Sequence, residues 1–182
     1  MERTDIVSLY TAQIVTPIGE MQACVSEYGL CLLEFMERKN LEAELEQLQK
    51  LFGSELNTKM HPLLEQTQQE IDAYFSGNLK EFRIPLHMPG TAFQQKVWQA
   101  LLRIPYGCTR TYKEQALALD NLPAIRAVAH ANGMNRIAVI VPCHRVIGHN
   151  GNLTGYAGGI WRKKWLLEHE QPGKQQALFS VL

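Results

Sequence analysis

Hydrophobic and polar positions alternate along three short runs near the start of the chain: Leu9 to Val15, Met21 to Val25 and Leu30 to Phe35. Alternation places successive side chains on opposite faces of an extended strand, so one face of each run can be buried. Pro17-Ile18-Gly19 and Glu27-Tyr28-Gly29 separate the runs with turn residues. The region therefore predicts a three-stranded antiparallel meander. The period then lengthens to that of a helix. Leu41, Leu45, Leu48 and Phe52 share one stripe, and Leu63 or Leu64, Ile71 and Phe75 another, which Gly77 stops. Pro85 to Gly90, with two prolines and a glycine, predicts a linker between a domain over 1–84 and a second over 91–170, followed by a tail over 171–182.

The second half reads as short helices. Thr91 opens one that carries Phe93, Val97, Trp98, Leu101 and Leu102, and Pro105-Tyr106-Gly107 stops it. Thr111 and Glu114 have capping-box spacing, which starts a helix of about 8 residues near Tyr112. Asp120-Asn121-Leu122-Pro123 breaks that helix, and Asn121 is placed to cap the next, from Pro123 to about Gly133. Two short helices across a tight turn fit a helix-turn-helix or a plain helical corner, and the pattern leaves both open. A last helix is predicted from Gly159 to His169.

Composition changes this picture only when it is read locally. The 182 residues hold 18 Lys+Arg and 18 Asp+Glu, with 46% hydrophobic residues, an ordinary globular balance. Residues 1–92, however, carry 7 basic and 14 acidic side chains, a net of −7. Residues 93–167 carry 10 basic side chains against Glu114 and Asp120 alone, a net of +8. An acidic half is joined to a basic half, and the basic half is the one suited to face a polyanion. No stretch reaches the roughly 18 uninterrupted apolar residues of a membrane span, and Met1-Glu2-Arg3-Thr4-Asp5, which carries acids and runs into no long apolar stretch, predicts no secretory signal. Cys24, Cys31, Cys108 and Cys143 form no CxxC pair, which points to a reducing cytosol, or to a nucleus in a eukaryote.

The candidate chemistry lies in Ile137 to Gly148, where an apolar run reading as a buried strand ends in Pro142-Cys143-His144-Arg145. A cysteine is nucleophilic as its thiolate, and a neighbouring His and Arg favour that form. On an extended strand Cys143 and His144 would point to opposite faces, so either the chain turns there or a water joins the two. A nucleophile and an ordinary core cysteine both remain open at this point. A metal site built on Cys143, His144 and His149 fails on spacing, since nothing there fixes a tetrahedron. A thiol hydrolase using Cys143, His144 and Glu170 stays open, without a visible oxyanion-hole signature.

Pro142-Cys143-His144-Arg145-Val146, with Arg126-Ala127-Val128 upstream and Gly155-Tyr156-Ala157-Gly158-Gly159 downstream, closely resembles the O6-alkylguanine-DNA alkyltransferases, also called methylated-DNA–protein-cysteine methyltransferases. The similarity runs unbroken from about Thr91 to Glu170, and by pattern it extends over the first half. The resemblance implies an α+β protein: an N-terminal ribonuclease-H-like domain with antiparallel strands, then a mainly helical winged-helix or helix-turn-helix-like DNA-binding domain. It implies direct-reversal DNA repair, in which an alkyl group moves once and irreversibly from O6-alkylguanine in duplex DNA to the protein's own cysteine. O4-alkylthymine is a further candidate lesion. The target base must be flipped out of the duplex.

By the same resemblance Cys143 is the acceptor, with His144 as its base through a water, oriented by Glu170. Asn135 is the hinge beside the active-site turn, and Tyr112 donates to the purine. Ile125, Arg126, Ala127 and Ala129 lie on the helix that enters the minor groove, where Arg126 fills the gap left by the base. Val146, Tyr156 and Ala157 complete the pocket. Ala129-His130 stands where many members have glycine, and Arg136 where many have proline, departures that bear on DNA docking. The implied protein is a monomer without cofactor or metal, because Cys24, Cys31, His61 and His87 do not match the zinc ligands of some relatives.

Overall fold

The computed structural model describes residues 7–171, so the expected tail lies outside the described residues except for Gln171. The chain forms two compact units that divide between Pro89 and Gly90.

In the first unit the predicted meander is present as β1 (Leu9–Ile14), β2 (Met21–Ser26) and β3 (Gly29–Phe35), paired antiparallel from Tyr10↔Val25 to Ile14↔Met21 and from Met21↔Phe35 to Ser26↔Gly29. Val15 falls outside β1 and is exposed. All seven residues of β3 are buried, which is why its sequence shows no clean alternation. A fourth strand, β4 (Leu56–Asn57), pairs parallel with β1 and gives the order β3-β2-β1-β4. Two residues are too few to show a period, so the pattern does not reveal it.

Between them runs α1 (Leu41–Phe52), which buries Leu41 and Leu48 against Leu9, Cys24, Cys31 and Leu32. Next, α2 (Pro62–Phe75) buries Leu64, Thr67, Ile71 and Tyr74. Tyr74, not Phe75, therefore continues the stripe. Thr67 joins it because its hydroxyl is satisfied by the Leu63 carbonyl at 2.6 Å. On the far edge, Leu30 N–H donates to Pro85 O at 2.8 Å and His87 N–H to Leu30 O at 2.9 Å. The start of the expected linker thus lies along β3. Gly29 permits this approach: at φ 148° a side chain there would meet Pro85 O at 2.5 Å.

The second unit contains α3 (Ala92–Leu102), β5 (Arg110–Thr111), α4 (Tyr112–Ala118), α5 (Ile125–Gly133), β6 (Val146–Ile147) and α6 (Ile160–Glu170). Capping boxes open α3 at Thr91/Gln94 and α4 at Thr111/Glu114. The apolar stripe of α3 is narrower than predicted: Val97, Trp98 and Leu101 are buried, while Phe93 and Leu102 are exposed. The helix expected from Pro123 opens instead with a 3₁₀ turn over Leu122–Ala124, and Asn121 makes no side-chain cap bond. Asp120, at φ 53°, turns the chain between α4 and α5. Trp98 then pins α5 to α3 by donating its indole N–H to Ala131 O at 2.9 Å. No helix of the described residues is long and apolar enough to cross a membrane.

The buried strand read over Ile137 to Val141 does not form. These residues are buried, but they coil through a series of turns, with Val139 at φ 71°. Ile140 N–H bonds to Ala138 O and Val141 N–H to Ile137 O, at 2.9 and 3.0 Å. Apolarity reports burial, and here the polar backbone is satisfied locally rather than by a ladder.

Candidate active site

Cys143 opens a 3₁₀ turn over Cys143–Arg145, directly after the buried coil. Of the two possibilities at the motif, the chain turns. Asn135 fixes the turn from the end of α5. Its amide N–H donates to Val141 O at 2.9 Å and to Cys143 Sγ at 3.4 Å, and its Oδ1 accepts from Ile137 N–H at 3.0 Å. A buried asparagine here closes the backbone of the turn and touches the thiol in one move.

Cys143 is half-buried and borders a cavity of about 480 Å³. From α4, Tyr112 forms one wall; from α5 come Ile125, Arg126, Ala129, Asn132 and Gly133. The loop before α6 supplies Thr154, Gly155, Tyr156 and Ala157. Seven of the residues singled out in the sequence thus meet around one space: Cys143, Tyr112, Ile125, Arg126, Ala129, Tyr156 and Ala157. Of the other five, Asn135, His144 and Glu170 stand behind Cys143, and two lie elsewhere. Val146 is fully buried in β6 beside Arg110, and Ala127 is exposed on α5 away from the cavity wall.

His144 and Glu170 are buried and meet at 2.8 Å, His144 Nε2 to Glu170 Oε1. Arg145 grips the same carboxylate with two bonds, Nε to Oε2 and Nη2 to Oε1, each 2.9 Å. Its Nη1 donates to Ile104 O at 2.6 Å, and Gly107 N–H adds a bond to Glu170 Oε2 at 3.2 Å. Burial alone would raise the Glu170 carboxyl, but hydrogen bonds and charge from His144 and Arg145 hold it well below the usual carboxylate range. Burial lowers the imidazole of His144, outweighing the pull of Glu170, so the ring is held neutral. An ionised Glu170 can only accept, which places the imidazole proton on Nε2 and leaves Nδ1 as a basic lone pair. Nδ1 is buried and has no hydrogen-bond partner among the described residues.

Arg145, expected to favour the thiolate, instead holds Glu170, and Lys163 is a contributor that the sequence does not single out. Lys163 is fully buried, yet its Nζ donates to Thr154 O at 2.9 Å and Gly155 O at 3.3 Å. It stands 5.9 Å from the centre of the Tyr112 ring. Burial pushes its ammonium down to about 8, against an opposing attraction from Cys143. The Tyr112 hydroxyl donates to the same Thr154 O at 3.1 Å, and burial first, with Cys143 behind it, raises its pKa despite that bond. Tyr112 is therefore kept as a protonated donor. The chemical sum is a thiol on a cavity wall, a buried neutral base held by a fixed carboxylate, and a phenol able to donate.

Residues 92–172 match the family model described as 6-O-methylguanine DNA methyltransferase, DNA binding domain, and residues 9–88 match that described as its ribonuclease-like domain. The chain is 42% identical over 164 residues to the methylated-DNA–protein-cysteine methyltransferase of Methanosarcina barkeri, covering 90% of this chain and 98% of the relative. It is 42% identical over 149 residues to the constitutive enzyme of that name from Bacillus subtilis, covering 82% and 87%. Among solved structures it is similar to Mycobacterium tuberculosis OGT in complex with DNA, with a TM-score of 0.76 at 42% identity, over 91% of this chain and 94% of that one.

Proposed function

We infer that this chain, which belongs to the 6-O-methylguanine DNA methyltransferase family, repairs DNA by direct reversal, moving an alkyl group from guanine O6 in duplex DNA onto its own Cys143. The observation that carries this reading is the half-buried Cys143 thiol on the wall of a cavity shared with Tyr112 and Arg126, next in the chain to a base held by a buried carboxylate.

In this reading His144 Nδ1 takes the Cys143 proton through a water, and Glu170 holds the imidazolium that results. The thiolate attacks the alkyl carbon. A carbon–sulfur bond forms, the carbon–O6 bond breaks, and its electron pair remains on the purine. Tyr112 stabilises that developing anion by donating its hydroxyl, for which its raised pKa suits it. The thioether product has no leaving group for water, so each molecule acts once. The protein is itself the acceptor and the reaction calls for no cofactor.

A base stacked in a duplex cannot reach this cavity until it is flipped out. Arg126, on the exposed side of α5 and at the cavity edge, is suited to occupy the gap. In this reading α5 lies in the minor groove, with Ile125, Ala127 and Ala129 beside Arg126, and the protein works as a monomer in the cytoplasm, or in a nucleus where there is one. The excess of basic side chains over residues 93–167 supports a polyanion at this unit.

Titrating the protein with duplex DNA carrying O6-methylguanine tests the reading. Repair that stops at one lesion per chain is expected; repeated turnover would point to a thiol hydrolase instead.

A further inference from the structure

Two buried side chains beside the cavity have no part in the chemistry above. Gln115, on α4, and Asn132, on α5, are almost fully buried and face each other with reciprocal bonds. Asn132 Nδ2–H donates to Gln115 Oε1 at 2.7 Å, and Gln115 Nε2–H donates to Asn132 Oδ1 at 3.1 Å. The second Gln115 N–H reaches Val97 O of α3 at 3.4 Å. Two apolar side chains would fill such a gap without the cost of desolvating two carboxamides. A paired amide differs in being directional: it keeps both bonds over only a narrow range of helix separation and orientation.

The pair's position gives that directionality a consequence. Gln115 follows Tyr112 by three residues, so the two are neighbours on the surface of α4. Ile125, Ala129 and Asn132 are spaced four and three apart, one stripe of α5, and all three border the cavity. The amide bond thus joins the helix bearing Tyr112 to the helix wall opposite it. Trp98 holds the adjacent residue, Ala131, from α3.

We propose that the Gln115–Asn132 carboxamide pair is a positioning device that fixes the separation of α4 and α5, and so sets how bulky an alkyl group the cavity accepts. The inference rests on the function proposed for Cys143. Both residues are positioning residues, since Gln115 lies off the wall and Asn132 acts through its bond to Gln115. With the tie removed the wall yields, and a bulky group gains access relative to a small one.

The test compares single-turnover transfer from duplex DNA carrying O6-methylguanine with transfer from DNA carrying O6-benzylguanine. Gln115→Met, close in length but unable to bond, is expected to raise the benzyl-to-methyl rate ratio about tenfold, below the roughly 100-fold that a 1 Å misplacement can cost. Loss of folded protein lowers both rates alike and leaves the ratio where it was. The exchanged pair, Gln115→Asn with Asn132→Gln, keeps both bonds and the combined length, and is expected to return the ratio to that of the native chain. Gln115→Leu, likewise unable to bond to Asn132, carries the test should Gln115→Met fail to fold. An unchanged ratio in the folded single variants would overturn the proposal. No transfer at all by the native chain would instead overturn the function of Cys143 on which it stands.

Discussion

Each unit of the molecule pairs an arginine with a buried glutamate, with opposite results. In the first, Arg38, three residues after β3, meets Glu34 and, at 2.7 Å, Glu44. Two acids share one guanidinium, and Glu34 Oε2 is buried with no hydrogen-bond partner among the described residues. Burial, with Glu44 adding to it, pushes the Glu34 carboxyl up to about 8 despite Arg38. In the second, Glu170 alone receives Arg145, His144 and Gly107 N–H, every one a donor, and is held low. The lesson is that a buried ion pair has no fixed character. A carboxylate stays charged in the interior when donors saturate it, and it tends to neutralise when a second acid competes for them. Only the saturated cluster can hold a neighbouring histidine in a defined tautomer.

The largest effect should follow from breaking the saturated cluster. Glu170→Gln leaves the Arg145 cation buried without its counter-charge and frees the tautomer of His144. Thermal and denaturant melts should show a loss of about 3–5 kcal/mol, the usual cost of removing one partner of a buried pair. The transfer rate in pre-equilibrium quench experiments should fall roughly 100-fold with the base. A Glu170→Gln protein with native transfer would show that the cluster is structural only.

Lys163 sharpens the comparison as a buried cation held by backbone carbonyls. Its folded value, about 8, lies below the 10.5 of an ordinary lysine. Such a group contributes stability that is present above pH 10.5 and is lost as pH falls through 8. The melting temperature of the native chain, relative to Lys163→Met, should therefore rise between pH 8 and 10.5. A flat difference would mean the ammonium is stabilised in place.

The smallest effect belongs to the crowded cluster, and its sign is the informative part. Glu34→Gln should leave transfer within about twofold of the native rate, since Glu34 pairs with Arg38 and shares it with Glu44, none of them a residue of the site. The Glu34 contribution to stability is complete below its unfolded value near 4.5 and is lost as pH rises through 8. For Glu170 the contribution is present above about 4.5 and is lost as pH falls through its depressed value. Melts of native, Glu34→Gln and Glu170→Gln proteins across pH 3 to 9 should give differences that shrink in opposite directions, over windows set by those two glutamates. Parallel curves would erase the distinction between the clusters.

The contrast also explains what the sequence could and could not disclose. Turn residues and capping boxes are local, so the meander, α3 and α4 were legible from Gly19, Gly29, Thr91 and Thr111. The motif around Cys143 was legible by resemblance, and with it most of the cavity wall. What was illegible depends on long-range packing. Apolarity in Ile137 to Val141 reports burial whether the backbone is strand or coil, and only Asn135 and the left-handed Val139 decide for coil. In Trp161-Arg162-Lys163-Lys164-Trp165 nothing local separates buried Arg162 and Lys163 from exposed Lys164. Gln115 and Asn132 look like surface amides until the helices bring them together. Buried polar partners are set by the fold, and a pattern of apolar positions is silent about them.

The central claim is that Cys143 is the acceptor. Its most direct measurement is the mass of the intact protein after incubation with excess duplex DNA carrying O6-methylguanine, followed by peptide mapping. A gain of one methyl group per chain is expected, located on Cys143 and lost altogether in Cys143→Ala. An unmodified chain, or a methyl carried by Cys24, Cys31 or Cys108, would contradict it.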